Sequence, residues 1–286
     1  MSNAPDLTAA IARLFVYPVK SCAGIELREA LLTETGFDLD RAWMVVDEHG
    51  EFVSQRELPR MALVRPQIRL SDVVLRAPGM LALHLQIDTV EEPVKVRVWD
   101  EKVQAYDMGA VAAQWFSDFL GRKLRLVRFD PEHQRLANLQ WTGGAQAPNQ
   151  FQDGYPLLVA STASLDLLNA RLAAAGHAGV GIERFRPNIV LAGLEAHDED
   201  RLELIRIAAD EGEVQLRPVK PCSRCPIPNI DPATAQSDPA VTDALQAYRR
   251  DPVLDGAVTF AMNAIIVAGV DHTLRVGQPV AATIRF

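Results

Sequence analysis

The stretch DEGEVQLRPVKPCSRCPIPNID, Asp210–Asp231, carries the reading of this chain in its two halves. In the first half Val214 and Leu216 share one face, and Asp210–Gly212 offers a turn just before them. That alternation predicts a half-buried antiparallel strand leaving a hairpin. The second half holds two of the three cysteines, Cys222 and Cys225, with Ser223 and Arg224 between them and Pro226 and Pro228 behind. Prolines resist helix formation, so the strand is expected to run into an extended cysteine loop.

The same period-two pattern recurs on either side. Leu81, Leu83, Leu85 and Ile87 alternate, as do Val94, Val96 and Val98. The apolar run Gly256–Val270 is interrupted by Thr259 and Asn263 and is shorter than the ~20 residues of a membrane helix, so it predicts one or two buried strands and no membrane span. Helices are expected at 111–121, where Val111, Trp115 and Phe119 form a stripe ending at Gly121, and at 161–176. The second takes Ser161 or Thr162 as N-cap, carries Leu165, Leu168 and Leu172 on one side, and stops at Gly176. A shorter helix is expected after Asp238. Strands outnumber helices and do not alternate strictly with them, which implies an α+β, mainly β fold. The polar, aperiodic stretch 131–150 predicts a boundary between residues 1–130 and 131–286.

Composition narrows the function. Hydrophobic residues make up 48% and charged residues 23% of the chain, as in packed globular proteins. The net charge is −8 and no lysine or arginine run tracks a phosphate backbone, so no nucleic acid partner is expected. Three cysteines are too few for a secreted disulfide framework, and no basic leader precedes an apolar core. A cytoplasmic location with reduced thiols is the expectation.

Four readings of the cysteine pair stand at this point. A structural zinc site needs four ligands, whereas only Cys22 remains and His49, His84, His133, His177, His197 and His272 are scattered. A thioredoxin-like dithiol needs a helix opening at the pair, which Pro226 and Pro228 oppose. Two ordinary buried thiols leave the flanking Lys220 and Arg224 without a reason. The fourth reading uses one thiolate as a soft ligand to a redox metal whose remaining ligands belong to an anionic organic cofactor. It predicts cationic and polar side chains from separate loops converging on one point.

Three ordered segments then carry a resemblance: YPVKSCAGIELREALLTETGFDLDRAWMVVDEHG at 17–50, RFRPNIVL at 184–191 and PCSRCPIPNIDPAT at 221–234. Together the chain resembles the MOSC family of molybdenum-cofactor-binding domains, in particular its two-part members that include amidoxime-reducing enzymes. The resemblance implies a MOSC N-terminal domain over 1–130 and a MOSC β-barrel over 131–286. It implies a pterin-dithiolene molybdenum cofactor (molybdopterin) held by one protein cysteine, carried here to Cys225, with Cys222 a neighbour. It places Lys20, Ser21, Arg41, Arg186, Asn188, Ser223 and Arg224 at cofactor-binding positions and Asp153 at an acidic position, a candidate catalytic proton source. Arginine forks suit a phosphate dianion, and an asparagine amide suits a pterin edge.

The implied activity is reduction of small N-hydroxylated compounds with electrons from a separate carrier of ferredoxin, flavoprotein or cytochrome type. The alternative is a cofactor or sulfur carrier without turnover. The chain departs from the family's pattern at Pro226, at Gly154 and Tyr155, and at DPATA, where Ala235 stands for a glycine. These departures flank the cofactor positions and bear on the substrate.

Overall fold

Seven strands close into a barrel in the structure, a computed structural model that describes residues 5–90 and 92–285. In chain order they are β1 (Leu7–Val16), β2 (Leu157–Ser161), β3 (Ile189–Ala192), β4 (Leu202–Ala209), β5 (Gly212–Ser223), β6 (Ala257–Ala268) and β7 (Pro279–Ile284). Around the barrel the order is β2-β3-β1-β7-β4-β5-β6, and β6 pairs back onto β2 through Val159 and Met262. Only β2 and β3 are parallel within this ring. Closure removes the exposed edge that an open sheet of this size would present. Inward residues such as Leu14, Val159, Leu191, Ile207 and Leu216 fill the interior, all 1% exposed or less.

The hairpin expected at Asp210–Gly212 joins β4 to β5, with Ala209 facing Gly212 across the turn. The run Gly256–Val270 is one twelve-residue strand, β6. Strand β5 is irregular where it meets β6: its register slips between Gln215 and Leu216, between Pro218 and Lys220, and between Pro221 and Ser223. The last two slips have a cause in the sequence. Pro218 and Pro221 carry no N–H to donate to the ladder, so pairing shifts beside each of them. The strand stays paired to its end at Ser223, which faces Thr259, but with its register shifted at both prolines.

Four α-helices occur among the described residues: α1 (Gly109–Leu120), α2 (Leu139–Thr142), α3 (Thr162–Ala174) and α4 (Ala240–Gln246). Ser161 caps α3, its Oγ accepting from the Ser164 amide at 3.1 Å. Gly121 ends α1 in the left-handed region. The buried stripe of α1 runs through Ala112, Trp115, Phe116 and Phe119, so Val111 is offset by one position and stays 75% exposed. Leu81 likewise falls outside its expected strand, which begins at Leu83; its carbonyl accepts from Trp115 Nε1 at 2.7 Å instead.

The first half of the chain adds a four-stranded sheet in the order Trp43–Val46, Arg125–Phe129, Glu101–Asp107, Pro93–Val98, and a three-stranded one over Arg65–Ile68, Asp72–Arg76 and Leu83–Gln86. Two segments cross the expected division at 130/131. Strand β1 sits inside the barrel between β3 and β7, and Glu29–Thr33 pairs with Thr273–Arg275. The chain therefore starts in the barrel, leaves it after Val16 to build the smaller sheets, and returns at Leu157. Every segment near Val16 and Leu157 lies at the seam between the two parts.

Gly36 shows how tight that seam is. Its φ is +115°, and a Cβ there would lie 2.4 Å from the Pro156 carbonyl oxygen. Gly36→Ala is expected to destabilise the fold by about 2 kcal/mol or more, read as a fall of several degrees in melting temperature.

Candidate functional site

Two distant sequence segments are tied together by backbone hydrogen bonds just past β1. The Arg41 amide donates to the Tyr17 carbonyl at 2.8 Å, the Trp43 amide to Pro18 at 3.0 Å and the Lys20 amide to Trp43 at 2.8 Å. This zipper places Lys20, Ser21 and Arg41 side by side although they are twenty residues apart. Ser21 and Arg41 both have positive φ, 66° and 55°. Arg186 joins them as the residue after the 3₁₀ turn Ile182–Phe185, also with positive φ, 59°. Ten non-glycine residues adopt such φ values among the described residues, and Ser21, Arg41, Arg186 and Trp99 all line one cavity. Each costs about 1–3 kcal/mol, and strain of this kind concentrates where side chains must be aimed.

The arginines are held firmly. Asp40, fully buried, accepts from the Tyr17 amide at 2.8 Å and pairs with Arg41 Nη1. Arg41 Nη2 donates to the Arg186 carbonyl at 3.1 Å, and Arg186 Nη1 donates to the Cys22 carbonyl at 2.5 Å. Both guanidinium groups lie over the Tyr17 ring, at 4.4 Å and 4.3 Å from its centroid. Burial, aided by Arg41, lowers the Arg186 pKa to about 10, so it stays protonated at neutral pH. Burial pushes the Cys22 thiol up to about 12, which makes it an inert core group.

Strand β5 delivers the cysteine loop to the same place. Arg224 Nη1 donates to Cys222 Sγ at 3.0 Å and Nη2 to the Phe185 carbonyl at 3.1 Å. Behind Cys225 the prolines permit only a single 3₁₀ turn, Ile227–Asn229, and no α-helix starts at the cysteine pair. Both thiols are free and half-buried, and both face the cavity.

The cavity measures about 440 Å³ and is lined by Lys20, Ser21, Arg41, Asp153, Arg186, Asn188, Ser223, Arg224 and Cys225, the full set of expected site residues. Lys220 and Arg56 bring its cations to six, against Asp153 as the one carboxylate in the lining. Lys20 is paired with Asp153 and Arg41 with Asp40; among the described residues no carboxylate pairs with Arg56, Arg186, Lys220 or Arg224. Two of these four also carry a buried N–H without any partner, Arg186 Nη2 and Arg224 Nε. An unsatisfied buried donor costs about 1–3 kcal/mol, more when charged, unless a ligand meets it. A cavity this positive, in a chain of net charge −8, is built for an anion.

Two of the expected site residues also have partners within the protein. Asp153 accepts from Lys20 Nζ at 2.6 Å and from Trp99 Nε1 at 3.3 Å. Its side chain is largely exposed, and Lys20, Arg41 and Arg56 hold the carboxyl well below the usual carboxylate range. Burial lowers Lys20 more than Asp153 restores it. The carboxylate is the firmer charge of the pair, since three cations face it. Asp153 therefore carries no proton to give at neutral pH and serves as the counter-ion of Lys20. Asn188, expected to offer its amide to a ligand, is 1% exposed. Its Oδ1 accepts from the Leu158 amide at 3.1 Å and its Nδ2 donates to the Phe15 carbonyl at 3.3 Å, stitching β2 to β1 beneath the cavity. Arg56, Trp99 and Phe52 were not read as site residues from the sequence. They come from the first half, Arg56 and Trp99 from turns and Phe52 from an isolated bridge, where no sequence pattern points to a site.

Comparison with known proteins agrees with this geometry. The MOSC N-terminal beta barrel domain matches residues 8–123 and the MOSC domain residues 146–281. Mitochondrial amidoxime-reducing component 1 of Mus musculus is 34% identical over 249 residues, spanning 84% of this chain and 71% of that protein. The chain belongs to the MOSC family. Component 2 of Rattus norvegicus is 31% identical across 94% of this chain. The human molybdenum cofactor sulfurase is 28% identical over 96% of this chain but only 32% of its own length. Among solved structures, YuaD of Bacillus subtilis covers 98% of this MOSC chain at 10% identity and a TM-score of 0.45.

Two outcomes follow for this MOSC site. Millimolar phosphate should raise the melting temperature of cofactor-free protein by about 2 °C or more, beyond sodium chloride at matched ionic strength, and Arg186→Ala should abolish the difference. Asn188→Ala leaves the Leu158 amide unpaired between strands and should cost about 3 kcal/mol in denaturant unfolding.

Proposed function

We propose that the cavity holds the pterin-dithiolene molybdenum cofactor and that the protein reduces N-hydroxylated compounds with electrons from a separate carrier protein. The observation that carries this reading is the convergence on a single cavity of the free thiol of Cys225, beside Cys222, with four cations that lack carboxylate partners among the described residues. The residues fit such a group. Its phosphate is met by charge-assisted donors, and the orphaned N–H groups of Arg186 and Arg224 are supplied with acceptors. Among the described residues no group of three or more His, Cys, Asp or Glu side chains is placed to hold a bare ion, so a metal bound at Cys225 has to bring ligands of its own.

When bound, the cofactor would supply the two-electron reduction of an N–O bond. The chain's part is to bind, orient and screen. Cys225 provides the single protein sulfur. Lys20, Ser21, Arg186, Ser223 and Arg224 hold the polar and anionic parts of the cofactor. Arg41 acts through Arg186, fixing its backbone by the bond to the carbonyl. Cys222, accepting from Arg224, sets the angle of that guanidinium. Asp153 keeps Lys20 charged and in place. Three free cysteines suit a reducing compartment, and the cytoplasm is the location we propose. No helix among the described residues is long and apolar enough to cross a membrane.

Protein made in a host that synthesises the cofactor should carry molybdenum and turn over benzamidoxime with a chemical reductant. Cys225→Ser should lower turnover about 100-fold or more and strip molybdenum, whereas Cys222→Ser should stay within about tenfold with the metal retained. Equal losses in the two variants would transfer the function to the dithiol. Bound molybdenum without any turnover would mark a carrier.

A further inference from the structure

Trp99 is explained neither by folding nor by burial. It occupies the first position of the two-residue loop between Pro93–Val98 and Glu101–Asp107, closed by the Val98–Glu101 pair. Its φ is +54°, at a hairpin position where glycine, asparagine or aspartate is favoured. A bulky side chain in this region costs about 1–2 kcal/mol. The indole is also 42% exposed, so little core stabilisation offsets that strain.

What surrounds the ring is ordered. The Arg56 guanidinium lies 4.6 Å from the Trp99 ring centroid, and Phe52 meets the ring edge-on at 4.9 Å and 63°. Arg56 is itself anchored, its Nε donating to Ser54 Oγ at 3.1 Å. Trp99 Nε1 donates to Asp153, which holds Lys20. One side of the indole is therefore backed by a cation, its edge is pinned, and the remaining surface opens on the cavity that also contains Cys225.

We propose that Trp99, backed by Arg56 and Phe52, is a stacking platform that selects planar, conjugated N-hydroxylated substrates, such as aryl amidoximes and hydroxylamino heteroaromatic rings, over aliphatic ones. The inference rests on the reductase reading above. A ring offers a π-face to the indole, which an aliphatic amidoxime lacks. The arginine on the platform also gives it a sign. A second cation is repelled by Arg56, whereas a neutral ring is not. Aryl amidoximes are neutral at pH 7 and their amidine products are cations, so the same platform that receives the substrate favours release of the product.

The test compares benzamidoxime with acetamidoxime in wild type, Trp99→Ala and Trp99→Phe, each normalised to bound molybdenum. Trp99→Ala should raise KM for benzamidoxime about five- to tenfold and for acetamidoxime less than about twofold, with kcat little changed. Trp99→Phe, which keeps a ring but loses the N–H to Asp153, should retain the aromatic preference. Equal effects on both substrates, or a Phe variant that behaves like Ala, would overturn the platform and leave Trp99 acting through Asp153. Ligand-observed NMR with benzamidoxime and cofactor-free protein gives a second readout. Binding should survive in Trp99→Phe and weaken by the same factor in Trp99→Ala. If molybdenum-loaded wild type reduces neither compound, the reductase reading fails, while the NMR series still decides the platform.

Discussion

Two guanidinium groups share one buried tyrosine ring, and the site is organised around that crowding. Arg41 and Arg186 each lie within about 4.4 Å of the Tyr17 centroid, and the ring is fully buried. Placing two like charges so close is unfavourable unless something compensates each of them. Arg41 is compensated by Asp40, itself buried and fixed by the Tyr17 amide. Among the described residues Arg186 has only a carbonyl oxygen and the π-face, and burial together with Arg41 lowers its pKa. The fold thus stores an uncompensated positive charge beside an open cavity. An anionic ligand of the kind proposed above would relieve it.

The backbone around this pair is organised to keep it there. Ser21, Arg41 and Arg186 all sit in the left-handed region, where an L-residue is held only if its surroundings over-determine it. The surroundings are the zipper between 17–20 and 41–43 and the Asn188 stitch between β1 and β2. Gly24 belongs to the same arrangement, since a Cβ there would lie 2.4 Å from the Tyr17 ring. On the opposite wall Pro218 and Pro221 make the β5–β6 register slip, Cys222 stays within β5, and the chain leaves the sheet after Ser223 with Cys225 in the following loop.

Much of this was legible in the sequence. Period-two alternation located β5 and its hairpin, and the capping residues Ser161 and Gly121 marked the ends of α3 and α1. The resemblance brought nine site residues to one cavity, because motif positions record a ligand's shape even when they are two hundred residues apart. What stayed hidden was pairwise. Asp153 reads as an acid until Lys20 is seen 2.6 Å away, and Asn188 reads as a free amide until its two backbone partners are visible. Val111 and Leu81 show the limit of periodicity: a stripe or an alternating run fixes which residues share a face only once the element's start is known. The wrapping of β1 into the barrel left no local signal, since a strand's sequence does not say which partner it pairs with.

That wrapping has a consequence for how the site forms. The lining draws Lys20, Arg41, Arg56 and Trp99 from the first half and Arg186, Arg224 and Cys225 from the second. The second half supplies the thiol with Arg186, Lys220 and Arg224, and the first half adds Lys20, Arg41 and Arg56. Because β1 is a stave of the barrel and Lys20 follows it by four residues, barrel closure and site assembly are one event. Like-charge repulsion among the unpaired cations opposes the final approach of the two halves, and bound anion removes that opposition. If the cavity binds the anion proposed above, its affinity and fold stability are linked at the seam, and a substitution that loosens the docking of the halves weakens binding even where it touches no ligand.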